Sequence, residues 1–299
     1  MLSLHTNAAA LSTQRNLGTS QSALTTSMTR LGTGLRINSA MDDAAGLQIA
    51  TRMDAQSRGM QAAMKNTQNG ISMLQTAEGA LGEVSSILLR MKDLATEGAN
   101  ATASADDKTA MQSEFDALGK EMANIMKNTS FGGEKLMNQG AAPASSGKLA
   151  GAAIDFQIGA SAAEKMTVDM SATFTALDAG LKAASKAFTD ATAATPPATP
   201  AAGTEMTTAN AQITLLDTAL KAVGTVRSDL GANANRLDHV YNNLGNMDSN
   251  TKMAKGRIMD TDYATEQAKM TSNQMLMQAG TSMLKQSGSM SQMVMSLMQ

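Results

Sequence analysis

Few residues in this chain have side chains suited to catalysis or metal binding. The sequence contains no cysteine, which excludes disulfides, thiolate metal ligands and a cysteine nucleophile. Its two histidines, His5 and His239, lie far apart, and there is no HExxH motif. The adjacent carboxyl groups of Asp42 and Asp43 have no histidine or metal-binding pattern beside them, so we interpret them as helix N-terminal residues and not as an acid/base pair. We therefore predict a protein that is not an enzyme and that uses no cofactor or metal ion.

The composition predicts a mainly α-helical fold. Of the 299 residues, 42% are hydrophobic, yet only 2% are aromatic and 26 residues are methionine. Ala, Leu and Met favour helices, whereas the residues that favour strands are scarce. The net charge of -2 comes from 24 basic and 26 acidic residues spread along the chain, which argues against nucleic acid as a partner. No apolar run is long enough for membrane insertion.

Coiled-coil spacing predicts two helices in the first hundred residues. The first helix carries an apolar stripe at heptad spacing, which consists of Leu17, Leu24, Met28, Leu31 and Leu35. A break containing glycine follows at 31–40, and Asn38 and Ser39 then precede Asp42 and Asp43, as at the start of a new helix. That second helix is long, and its apolar ladder includes Met53, Met60, Leu74, Leu81 and Leu88.

The middle of the chain changes character twice. The segment 97–107 predicts a turn and a fresh cap, and a third helix follows that ends near 129–135. The segments FQIG at 156–159 and MTVDM at 166–170 alternate like two short strands joined by a turn. Around 191–204 the sequence is rich in Ala, Thr and Pro and has almost no apolar residue that could anchor it, which predicts an exposed tip or linker.

Helical spacing returns in the last hundred residues. One long helix carries an apolar stripe that includes Leu220, Leu230 and Leu237. A final helix follows 256–262, and alternating steps of four and three residues predict its seam as Leu276, Gly280, Met283, Ser287, Met290, Val294 and Leu297. Several methionines of this helix lie off that seam, and an exposed apolar patch of this kind predicts a protein interface.

The elements are arranged almost as a palindrome, with a heptad helix at each end and a long helix inside each of those. Such a chain closes by folding at its middle, so that its N-terminal and C-terminal helices pair in one discontinuous coiled-coil rod. We predict a coiled-coil inner layer from 1–44 and 256–299, a helical rod layer from 45–172 and 205–255 with a β-hairpin near 136–172, and an exposed tip at 173–204. A head-to-tail interface between copies does not close on itself and makes a filament.

Both ends of the chain resemble bacterial flagellins. The similar segments are LGTGLRINSAMDDAAGLQIATRM at 31–53, NGISMLQTAEGALGEV at 69–84, VRSDLGANANRLDHVYNNL at 226–244 and RIMDTDYATEQAKM at 257–270. The opening MLSLHTN is similar to that of lateral, swarming-type flagellins, and LGTG replaces the family's usual LSSG.

The resemblance implies a structural subunit that polymerises with itself into an extracellular flagellar filament for motility. It also implies secretion in the unfolded state through the flagellar type III export apparatus, which would account for a start without a signal-peptide pattern, and partners that include an export chaperone, the filament cap and the hook-junction proteins. By the same resemblance Arg90, Leu94 and Glu114 match positions at which a host Toll-like receptor contacts flagellins. From the residues alone we interpret Arg90 and Glu114 as charges on facing helices, and Leu94 as packing between subunits.

Two other functions are compatible with part of this pattern. A hook-filament junction protein shares the terminal motifs at lower similarity, and the dense match at DDAAGLQIA and NRLDHVYNNL argues against it. An amphipathic, membrane-active protein would need a basic amphipathic helix, whereas this chain is nearly neutral and has heptad stripes at both ends.

Overall fold

The computed structural model describes residues 8–100, 102–137, 147–185 and 202–296, with side chains in the last range from 210 to 289. The described chain is mainly helical and contains two small antiparallel strand pairs, which confirms the predicted fold class. Its elements in chain order are α1 (Ala8–Thr33), α2 (Ala44–Gly98), α3 (Ala105–Asn128), β1 (Ser130–Phe131), β2 (Glu134–Lys135), α4 (Lys148–Gly151), β3 (Ile154–Gln157), β4 (Lys165–Val168), α5 (Ser171–Ala184), α6 (Ala202–Met259) and α7 (Tyr263–Ser296).

The chain divides into two compact units, and their limits differ from the predicted layers. Unit 1 comprises Met1–Arg58 and Asp248–Gln299, and unit 2 comprises Gly59–Met247. The predicted terminal layer stopped at 44 and began again at 256. Unit 1 extends farther along α2 and α6 because polar side chains join the two helices there: the Ser57 hydroxyl donates to Asp248 at 2.5 Å, and Lys255 Nζ lies 2.5 Å from Asp54.

In unit 1, the turns beyond α1 and before α7 are joined by their backbones. The Arg36 N–H donates to the Met259 carbonyl at 2.6 Å, and the Thr261 N–H donates to the Gly34 carbonyl at 3.0 Å. Leu35, which lies between Gly34 and Arg36 in the chain, forms an antiparallel bridge with Asp260. Its side chain packs on a small cluster of Ile37, Ala50 and Met259. Leu35 therefore belongs to this cluster and not to the stripe of α1 in which the sequence placed it.

Helix α2 begins with an aspartate cap. The Asp43 carboxylate accepts the backbone N–H of Gly46 at 2.8 Å, and α2 starts at Ala44. Asp42 instead closes the preceding turn, because its Oδ2 accepts the N–H groups of Asn38 at 3.0 Å and Ser39 at 2.9 Å. These backbone bonds, with that of Ser39 first, lower the pKa of Asp42. The cap of α2 is thus one of the two aspartates, not Asn38 or Ser39 as predicted.

The main hydrophobic core lies in unit 2. The long helices α2 and α6 supply its buried ladder, and α3, α5 and the β3–β4 hairpin pack on it through Phe115, Phe174 and Met166. The predicted rod residues that are buried in unit 2 are Met60, Leu74, Leu81, Leu88, Leu230 and Leu237. Leu220 is partly buried against the same core, and Met53 is partly buried in unit 1.

Local sequence signals account for the turns of unit 2. Ser104 and Asp107 form a capping box at the start of α3, in which Asp107 accepts the Ser104 N–H and Ser104 accepts the Asp107 N–H, both at 3.2 Å. Gly132 and Gly133 have positive φ of 60° and 88° and join β1 to β2. A two-residue glycine turn of this kind is favoured in a hairpin because its left-handed backbone matches the strand twist.

The β3–β4 hairpin pairs Ile154 with Val168 and Gln157 with Lys165, close to the predicted strands. It packs on α2 at two glycines. A Cβ on Gly59 would lie 2.6 Å from the Cβ of Ala160, and a Cβ on Gly70 would lie 2.8 Å from the Phe156 ring. The two glycines therefore allow the hairpin to approach the helix closely.

The predicted exposed tip at 173–204 is wrong in its first part. Residues Ser171–Ala184 form α5, which buries Phe174, Leu177, Leu181 and Ala184 in the core of unit 2. The Gln212 side chain on α6 is buried and donates to the carbonyl of Ala184 at the end of α5. The apolar residues of α5 recur at helical spacing, which the low aromatic and high alanine content of the region concealed. The end of the predicted tip, 202–204, is the beginning of α6, and residues 186–201 lie outside the described residues.

Candidate self-assembly surface

Helices α1 and α7 of unit 1 pair in antiparallel orientation. The Ser27 hydroxyl donates to Glu266 near one end of the pair, and Gly280 faces Leu17 farther along, where an added Cβ would lie 3.1 Å from Leu17 Cδ1. Among the described side chains of α7, those that are not exposed repeat at alternating steps of four and three: Glu266, Met270, Asn273, Met277, Gly280, Leu284 and Ser287. The opposite side of the seam consists of Thr13, Leu17, Ser20, Leu24, Ser27 and Leu31. This is the spacing of a two-stranded coiled coil.

The seam between α1 and α7 is unusually polar for a coiled coil. Glu266 is buried, and its Oε1 accepts the Ser27 hydroxyl at 2.7 Å while Lys269 Nζ lies 3.6 Å from its other oxygen. A buried carboxylate needs such partners because its desolvation is costly. Ser287, also buried, and Gly280 contribute little apolar area. Burial of apolar area therefore contributes only modestly to the stability of the α1–α7 pair.

The structure places part of the predicted α7 seam on another face of the helix. Gly280 and Ser287 lie in the seam as predicted, but Leu276 is 55% exposed and Met283 is 64% exposed. Met277 and Leu284, each one position farther along the chain, face α1 instead. The side chains of Met290 and Val294, and the whole of Leu297, lie outside the described residues.

On α1 the predicted stripe is likewise divided. Leu24 is buried, Leu17 and Leu31 are partly buried, and all three face α7. Met28, however, is 52% exposed, because the seam steps from Leu24 to Ser27 and then to Leu31, which leaves Met28 one residue past Ser27 and beside the seam. The sequence signal that would have located the seam is polar: Ser27 and Glu266 are the pair that a purely apolar search overlooks.

A second apolar stripe consequently faces outward from α7. It consists of Leu276 and Met283, seven residues apart, with Met275 beside them at 60% exposure. We call these three residues the outer stripe. Leu11 and Met28 are exposed large apolar side chains on α1. Apolar side chains at heptad spacing that remain exposed in a single subunit identify a surface suited to another helix.

The residues that matched a receptor contact lie in unit 2 and differ in accessibility. Arg90 on α2 and Glu114 on α3 form an exposed ion pair, with Nε 2.9 Å and a terminal nitrogen 2.8 Å from the same carboxylate oxygen. Leu94 is 2% exposed and packs in the core of its own unit. The prediction that Leu94 packs between subunits, or meets a receptor, is therefore wrong for the folded subunit.

The described side chains include no cluster of three acidic or imidazole groups that could hold a metal ion. His239 is exposed on α6, and His5 lies outside the described residues. Among the helices of the described ranges, none is long and apolar enough to cross a membrane.

Comparison with known proteins agrees with this geometry. Residues 4–142 match the family model of the bacterial flagellin N-terminal helical region, and residues 213–298 match that of the C-terminal helical region. The flagellin of Bacillus subtilis is 39% identical over 304 aligned positions that cover 98% of each chain. Flagellin A of Vibrio cholerae is 36% identical over 377 aligned positions that cover 100% of each chain. A solved structure described as a flagellar hook-associated protein of Vibrio parahaemolyticus covers 73% of this chain and 100% of that chain, with a TM-score of 0.54 at 16% identity, which shows a shared fold alone.

Paired helical termini and an exposed apolar stripe are features expected of a self-assembling structural protein. The two family matches and the relatives at 36% and 39% identity identify which one: the chain belongs to the bacterial flagellin family and is a flagellar filament subunit. The resemblance seen in the sequence is thereby confirmed, and the flagellins of other bacteria form an extracellular filament.

Proposed function

We propose that this chain polymerises through the outer stripe of α7, which becomes buried against a helix of a neighbouring copy in the filament. One observation carries the proposal. Leu276 and Met283 lie seven residues apart on α7, beside the seam that α1 covers, and both remain exposed. Since burying such a side chain is worth about 1.5 to 3 kcal/mol, the repeated stripe supplies a driving force for assembly.

The test is seeded polymerisation of purified subunits that carry Leu276→Gln or Met283→Gln. Both positions are exposed in the subunit, so circular dichroism should report unchanged helicity. The critical concentration for growth on wild-type filament fragments should rise about tenfold for each change, since a loss of about 1.4 kcal/mol is a factor of ten.

The matched control is Thr281→Gln, which introduces the same side chain at an exposed polar position of α7 two residues before Met283, on the side of the helix away from the outer stripe. It should leave the critical concentration near that of the wild type. If Leu276→Gln and Met283→Gln assemble like this control, the outer stripe is not an assembly surface.

The same proposal includes the route and the partners of the subunit. It leaves the cell unfolded through the flagellar type III apparatus, with help from an export chaperone, and joins the filament beneath its cap and beyond the hook-junction proteins. The polar seam between α1 and α7 supports this, because a pairing with little apolar burial opens readily for transport. Secretion should cease in cells whose flagellar export apparatus is deleted and persist when only the general secretory pathway is blocked.

We also propose that a host Toll-like receptor binds this subunit. Of the three residues that matched a receptor contact, Arg90 and Glu114 form the exposed pair that the receptor would touch. Receptor signalling should fall for Arg90→Ala and for Glu114→Ala. The change Glu78→Ala is the control, because it breaks another exposed Arg–Glu pair, with Arg227 of α6.

A further inference from the structure

Among the described side chains, exposed methionines are more frequent in unit 1 than in unit 2. The exposed methionines of unit 1 are Met28, Met41, Met253, Met275 and Met283 among the described side chains. Met247 is exposed at the end of unit 2. The buried methionines of unit 2 are Met60, Met73, Met91, Met122, Met137, Met166 and Met170. Oxidants that act on accessible thioethers therefore react mainly in unit 1, where Met275 and Met283 belong to the outer stripe.

Methionine has a defined reaction with peroxides. The thioether sulfur takes one oxygen atom from hydrogen peroxide, the O–O bond breaks, and the products are a sulfoxide and water. The sulfur loses two electrons and the peroxide gains them, so no further reactant is needed. The sulfoxide is polar, whereas the thioether is apolar and adapts to irregular packing.

We propose that Met275 and Met283 are oxidation sites through which peroxide blocks assembly of the unpolymerised subunit. The inference rests on the proposed function of the outer stripe. Both thioethers are exposed in the subunit, and a sulfoxide there would be buried against the neighbouring copy without a partner for its oxygen. Polymerised subunits are protected because the same contact covers the sulfur atoms.

Oxidation at these sites leaves the subunit folded. Neither residue is in the seam, where Met277 and Leu284 face α1, and neither belongs to the core of unit 2. Core methionines such as Met91 and Met137 are fully buried, so a mild dose of peroxide does not reach them. Oxidation at Met275 and Met283 should thus weaken assembly and leave folding unchanged.

The experiment treats the full-length subunit with mild hydrogen peroxide and locates sulfoxide by peptide mass spectrometry. Circular dichroism should be unchanged, while the critical concentration on untreated filament fragments should rise about tenfold for each sulfoxide. Methionine sulfoxide reductases should reverse the rise, because they restore the thioether. Treatment of finished filaments should give little sulfoxide at the two positions.

Each variant is compared with its own untreated sample. The double change Met275→Leu and Met283→Leu should abolish the effect of peroxide, whereas the matched control Met41→Leu and Met247→Leu, which removes two other exposed thioethers, should stay sensitive. Equal sensitivity in both double variants would overturn the oxidation proposal, even if Leu276→Gln had already supported the outer stripe as an assembly surface. Full oxidation at both positions without a change in critical concentration, or an effect that the reductases do not reverse, would also overturn it.

Discussion

At the scale of the residue, Gly34 shows how one backbone angle holds a turn of unit 1. Its φ is +74°, a value that residues with a Cβ rarely adopt, and a Cβ there would lie 3.1 Å from the Tyr263 hydroxyl oxygen. The Gly34 carbonyl accepts the Thr261 N–H, so the positive φ of Gly34 supports the hydrogen bond that joins the turn after α1 to the turn before α7. Two residues earlier, Gly32 lies within α1 and has open space at its Cβ position.

We expect Gly34→Ala and Gly32→Ala to change stability in opposite directions. Gly34→Ala should lower the free energy of unfolding by about 1 to 2 kcal/mol through left-handed strain. Gly32→Ala should raise it by up to about 1 kcal/mol, because alanine is the better helix former. Urea unfolding followed by circular dichroism measures both. A stabilising Gly34→Ala would contradict the role given to this turn.

At the scale of the element, α2 is shaped to receive the β3–β4 hairpin. Gly70 leaves room for the ring of Phe156, and a Cβ there would also lie 3.2 Å from Leu237 Cδ1. Gly79 and Gly82, on the same helix, have no atom within 4 Å of the Cβ position. The difference between these glycines lies in what packs on them and not in the helix itself.

We expect Gly70→Ala to displace the hairpin and to lower the free energy of unfolding by about 1 to 3 kcal/mol, the usual cost of overpacking. Hydrogen exchange should accelerate at β3 and β4. The control Gly79→Ala should stabilise α2 by up to about 1 kcal/mol and leave hairpin exchange unchanged. Equal stabilisation by both changes would show that the hairpin does not depend on Gly70.

The pairing of α7 shows what helix periodicity leaves undecided. Two stripes of that helix fit alternating steps of four and three, one through Leu276 and Met283 and one through Met277 and Leu284. Their apolar content is nearly the same, so the spacing alone does not distinguish the side that meets α1. The polar pair of Ser27 and Glu266 does not make the choice either, because Glu266, like Gly280 and Ser287, lies at a position common to both stripes. Only the packed structure shows that Met270, Met277 and Leu284 face α1.

At the scale of the whole molecule, acidic side chains that hold turns and ion pairs are distributed over both units. The pKa is lowered from the ordinary value of 3.8 at Asp42, Asp54, Asp107, Asp169 and Asp262. The cause at Asp54 is first the hydrogen bond from Lys255 and then that from Arg58, and at Asp107 it is the Ser104 hydroxyl and backbone. A folded-state pKa below the unfolded value contributes stability above the unfolded pKa, and this contribution is lost as the pH falls through the folded pKa.

We expect the melting temperature to change little between about pH 7 and pH 5 and to fall below about pH 4, where these aspartates take up protons. Asp54→Asn should lower the melting temperature at pH 7 and reduce its further fall under acid. Differential scanning calorimetry at a series of pH values measures both. Parallel pH profiles for the variant and the wild type would exclude a contribution from Asp54.

The sequence by itself determined the class of the fold, its paired helical ends, the cap of α3, the glycine turns and membership of the flagellin family, because these depend on local spacing and on motifs near both ends. It missed α5 and misjudged Leu94, Met28 and the stripe of α7. Those outcomes depend on which neighbour covers an apolar side chain, and residues of equal hydrophobicity at equal spacing do not reveal it. Only the tertiary structure decided that Leu94 is buried within its own unit and that Leu276 and Met283 remain exposed, since burial is a property of the packed elements and not of the residue.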